Sequence, residues 1–118
     1  MTVTISIPRA NYTARQYELF STEGREEAAQ RINGWIDREI SERAARIAEC
    51  KGDASEVGKV AREILRAVTT RIYEAQYETK YGATDSEPRW LMSKHIAKTV
   101  RVIAGLSEDE FGAYDNLY

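Results

Sequence analysis

The sequence predicts a mainly α fold: a long antiparallel helical hairpin, a third helix packed along it, a short C-terminal helix and a short N-terminal β-strand. Three observations carry that prediction. Isoleucine, valine and alanine recur at three- and four-residue spacing through two long stretches, which is the period of a helix with one buried stripe. Only Lys51-Gly52-Asp53 separates the two stretches, too little chain for anything but a tight reversal. Strict alternation of β-branched residues is confined to Thr2–Ile7.

In that first segment Val3, Ile5 and Ile7 face one way, Thr2, Thr4 and Ser6 the other, and Pro8 stops the run. A lone strand leaves its backbone donors and acceptors unpaired. Its partner is either the segment around residues 15–21 or the same strand of a second copy, which would make a homodimer. Thr13-Ala14-Arg15-Gln16 is a capping-box pattern, favouring a short helix that ends near Phe20.

Thr22 caps the next helix, expected over residues 23–51. Its seam is Ala29, Ile32, Ile36, Ile40, Ala44 and Ile47, with Ala28 and Trp35 at the flank. Arg25, Arg31, Arg38, Glu42, Arg46 and Glu49 form its wet side. Gly34 sits inside it, either for close approach of a neighbour or simply tolerated, at about 1 kcal/mol relative to alanine.

The central helix is expected from Asp53 to Gly82. Asp53 with Glu56 supplies an N-terminal cap, and Lys80 with Gly82 a C-terminal one. Such a helix is about 40 Å long, which implies an elongated body. One flank carries Val57, Ala61, Ile64, Val68, Ile72 and Ala75, an ordinary seam. The opposite flank carries Lys59, Arg62, Arg66, Tyr73, Tyr77 and Lys80, with Tyr81 at the edge. Tyrosine and arginine combine contact area with directional hydrogen bonding, so this flank is the candidate partner-binding surface, the alternative being that the N-terminal segment or the third helix lies across it and buries the rings. Removing Tyr73 and Tyr77 together is expected to abolish binding at nearly unchanged thermal stability.

Pro88 opens a third helix through Ala104, with Met92, Ile96, Val100 and Ile103 as seam, Trp90, Leu91, Ala97 and Ala104 widening it, and Gly105 as cap. Lys94, Lys98 and Arg101, beside His95, form a secondary basic patch that suits an acidic partner, phosphates or plain solvation. Ser107-Glu108-Asp109-Glu110 starts a short acidic helix to about Tyr114, and Leu117 and Tyr118 end the chain. The organisation is therefore a single domain over residues 1–118: strand and short helix in 1–21, hairpin in 22–82, third and C-terminal helices in 86–118.

Chemistry is restricted by what the chain contains. With 118 residues, 42% apolar and 31% charged, a core can form without metal or disulfide support. Cys50 is the one cysteine, which fits a reducing, cytoplasmic compartment, and the start of the chain lacks the pattern of a secretory signal. No run approaches the ~20 apolar residues that span a bilayer. A net charge of −2 argues against nucleic acid as partner. One histidine, His95, excludes a histidine-pair metal site within one chain, and no Glu-x-x-His or glycine-rich phosphate loop occurs. A Cys50–His95 nucleophilic pair is conceivable only through space. No metal, cofactor or catalytic residue is expected.

The order strand, short helix, Gly24, longer helix resembles that of ribbon-helix-helix repressors, which implies a dimeric DNA-binding regulator acting through the N-terminal strand. Thr2, Thr4 and Ser6 offer no base-reading cation, however, and Glu23, Glu26 and Glu27 would repel phosphate where the following helix starts. In size and acidic helical character the chain is similar to phage-encoded inhibitors of host defence, anti-CRISPR proteins among them. The expectation is a small non-catalytic module that binds another protein as an adaptor or inhibitor.

Overall fold

The computed structural model describes residues 24–50, 53–77 and 86–106, with the side chains of Arg25 and of residues 86–88 outside the description. The N-terminal strand, the short helix after it, the chain from residue 107, and Lys80, Tyr81 and Gly82 lie outside the described residues; the first described helix starts not after a Thr22 cap but after Gly24, left-handed at φ 75° and with no side-chain cap. Within them the protein is three helices: α1 (Arg25–Glu49), α2 (Ala54–Glu74) and α3 (Ser86–Ala104), each packed on the other two.

The six seam residues of α1 are all buried, with Ile32, Ile36, Ile40 and Ile47 at zero exposure, and Ala28 joins them. Along α2 the buried set is Val57, Gly58, Val60, Ala61, Ile64, Leu65, Val68 and Ile72. That is broader than the seam read from the sequence, because α2 meets a neighbour on each side, α1 and α3. In α3, Met92, Ile96, Ala97 and Val100 are buried, and Leu106 folds back onto the same core.

Contacts between α1 and α2 run in opposite order along the chain: Arg46 meets Glu63, Glu39 meets Arg71, and Trp35 meets Tyr77. The hairpin is therefore antiparallel, as its short connection requires. At its tip Asp53 caps α2, its Oδ1 accepting from the amides of Ser55 (3.0 Å) and Glu56 (3.3 Å). The principal extents are 45 × 29 × 22 Å, an elongation that follows from laying three multi-turn helices side by side.

Two further expectations need correction. α2 does not run on as one rod to Gly82; it ends at Glu74, with Ala75 as its C-cap and Gln76 in the left-handed region at φ 62°. The Gln76 amide donates to Tyr73 O at 2.9 Å and that of Ala75 to Arg71 O at 3.0 Å, so the last carbonyls are satisfied without a glycine. Ala75, expected in the seam, is exposed. Gly34, in turn, is not a point of close approach: a β-carbon there would meet nothing within 4 Å. Gly34→Ala is expected to raise the unfolding free energy by about 1 kcal/mol, read as a higher urea midpoint at unchanged slope. Gly105→Ala should do the reverse, because Gly105 holds φ +72° at the end of α3.

Candidate functional site

Lys59, Arg62, Arg66 and Tyr73 are spaced three, four and seven residues apart, and all four are exposed on the flank of α2 opposite Ile64. Tyr73 keeps 55% of its surface in water, the largest exposure among the big apolar and aromatic side chains described. Lys59, Arg62, Glu63 and Arg66 line an open depression of about 400 Å³. Lys59, Arg62 and Glu63 are already engaged. Lys59 Nζ lies 3.0 Å from Glu56 Oε1, and Glu63 Oε2 lies 2.8 Å from Arg46 Nη1. Among the described residues, Arg66 and Tyr73 make no side-chain hydrogen bond or ion pair.

Tyr77 does not share this surface. The left-handed turn at Gln76 breaks the four-residue stagger from Tyr73 and rotates Tyr77 inward. Its ring sits 5.8 Å from that of Trp35, tilted by 32°, and both rings pack on the core. The two tyrosines therefore separate experimentally. Tyr77→Ala should lower the unfolding free energy by about 1–2 kcal/mol through the lost ring pair and burial, while Tyr73→Ala should change it by less than about 0.5 kcal/mol. Thermal unfolding of the two single variants checks this; the double replacement expected from the sequence to be silent in stability will not be.

The secondary basic patch on α3 is divided in the same way. Lys94 and Lys98 are exposed, and Lys94 Nζ lies 4.8 Å above the ring of Trp90, itself 41% exposed. Arg101 is half-buried and acts as a cap, its Nη1 donating to Leu106 O at 3.1 Å. Burial holds the His95 imidazole below its usual range, with Lys98 adding to the shift and Asp37 opposing it. At neutral pH the histidine therefore adds no full charge to the patch.

A feature not read from the sequence is an alternating chain of charges between α1 and α2. Glu39, only 5% exposed, accepts from Arg43 Nη1 at 2.6 Å and from Arg71 Nε at 3.1 Å. Arg43 Nε is 3.5 Å from Glu63, which continues to Arg46. Burial pushes the Glu39 carboxyl up, but the hydrogen bonds and charges of the two arginines outweigh it and hold the group below the ordinary glutamate value.

Cys50 ends α1 with its thiol donating to Arg46 O at 3.3 Å. Burial and the nearby Glu56 push the thiol up, so little thiolate exists at neutral pH. No group of three or more metal-ligating side chains occurs among the described residues, and no described helix is long and apolar enough to cross a membrane. No family model matches the chain, and neither the curated proteins nor the solved structures contain a significant match to it.

Proposed function

We propose that the protein is a small non-catalytic binding module, an adaptor or inhibitor that docks on another protein through the outer flank of α2. The observation that supports this most is Tyr73. A ring left 55% in water on a helix whose other flank is fully buried contributes little to folding, and it is flanked by Lys59, Arg62 and Arg66. Lys80, expected from the sequence as a rim charge, lies outside the described residues, and Tyr77 packs on the core against Trp35. The acidic start of α1, with Glu26 and Glu27 exposed, favours a protein over a phosphate backbone as partner.

The test is a photo-crosslinking amino acid placed at position 73 and, as control, at exposed Glu49, with both proteins incubated in extract of the source cells. The reading expects one discrete crosslinked protein from position 73, lost on adding unlabelled wild-type protein in excess, and none from position 49. Equal labelling from both positions, or none from position 73, contradicts it.

A further inference from the structure

Resting on that docking surface, we infer the chemistry of what occupies it: a protein segment that presents one carboxylate to Arg66 and, about 10 Å along, an apolar side chain to Tyr73. The spacing is that of the two receptors, seven residues or about 10.5 Å apart on one helix.

The depression beside Arg66 carries an uneven charge. Of its lining groups, Glu63 is already neutralised by Arg43 and Arg46, and Lys59 is already drawn to Glu56. Arg62 has a partner as well, so the cation left over is Arg66, which has made none of its donors over to a described side chain. A guanidinium fork matches a carboxylate with two parallel hydrogen bonds. One fork suits the two oxygens of a single carboxylate, whereas a string of backbone phosphates needs several cations, and Lys59 and Arg62 already have partners. Tyr73 then supplies area at low entropic cost for an apolar neighbour on the same face of the partner.

The measurement is amide chemical-shift mapping on the full chain with defined probes. The first is a helical peptide carrying glutamate and leucine seven residues apart. The others are its glutamine analogue, a peptide of the same composition with the two residues adjacent, inorganic phosphate, and a short DNA duplex. The glutamate peptide is expected to shift amides between Lys59 and Tyr73, and the glutamine analogue to bind at least about tenfold more weakly. Arg66→Glu should abolish the shifts and Arg66→Lys should retain part of them, because charge survives but the fork does not. Equal binding of the glutamine analogue, no binding of the glutamate peptide, tighter binding of phosphate or duplex, or sedimentation showing the strip occupied by a second copy each overturns the assignment. Crosslinking from position 73 reports separately: if it persists when the peptide fails, only the acidic chemistry is wrong, and if it fails too, the docking surface falls with it.

Discussion

Replacing Glu39 with alanine is expected to lower the unfolding free energy by about 3 kcal/mol, seen as a lower urea midpoint with an unchanged slope. The carboxylate is only 5% exposed and is the shared acceptor of Arg43 and Arg71. Without it, Arg43, whose side chain is 17% exposed, is left with Glu63 at 3.5 Å as its remaining ion-pair partner. Arg71, at 36% exposure, can turn to water, which places the loss at the lower end of the range for a broken buried pair. Exposed pairs such as Glu27–Arg31 and Arg38–Glu42 should contribute under about 1 kcal/mol each and fade in salt. The pH dependence has a definite sign. Because the folded carboxyl titrates below its unfolded value, its contribution is fully present above about pH 4.3 and is lost as pH falls through the folded value. The stability gap between wild type and Glu39→Gln should therefore hold from neutrality down to that pH and narrow below it.

Ile64→Ala is expected to cost about 4 kcal/mol, by lost burial and by the cavity left behind. Ile64 has zero exposure and belongs to the single cluster that also contains Ile36 of α1 and Ile96 of α3, so its removal loosens all three helices. Val102→Ala is the control: the residue is 51% exposed, and the change should stay within about 0.5 kcal/mol. Calorimetric or denaturant unfolding of the pair distinguishes a cooperative three-helix core from helices that hold independently.

The seams were legible because a helix period repeated over many turns leaves few alternatives: every residue assigned to the α1 seam is buried. The end of α2 was not. Lys80 and Gly82 carry the usual stop signal, whereas the turn uses Gln76, a residue with no special tolerance for positive φ. That one turn decides the site, since it separates Tyr77 from Tyr73. The Glu39 chain was missed for a different reason. Glu39 and Arg43 have the same four-residue spacing as the exposed Arg38 and Glu42, so spacing alone does not mark a buried pair. Their angular positions do: Glu39 follows Ile32 by seven residues and Arg71 follows Ile64 by seven, each about 20° off a core isoleucine. The wheel set Arg62, Arg66 and Tyr73 on one flank but left open whether that flank is covered. It did not show which groups are engaged, because Glu63 is held from α1 and Lys59 by Glu56 of α2 itself.

On the proposed function α2 has two separable flanks, one that builds the core and one that the fold does not need. The most direct test is the double variant Arg66→Glu with Tyr73→Ala, measured for thermal midpoint and for competition against the crosslink from position 73. An unchanged midpoint together with loss of competition is the predicted result. A midpoint that falls by the several degrees expected of a core substitution, or full competition by the double variant at an unchanged midpoint, would show that this flank is not a docking surface.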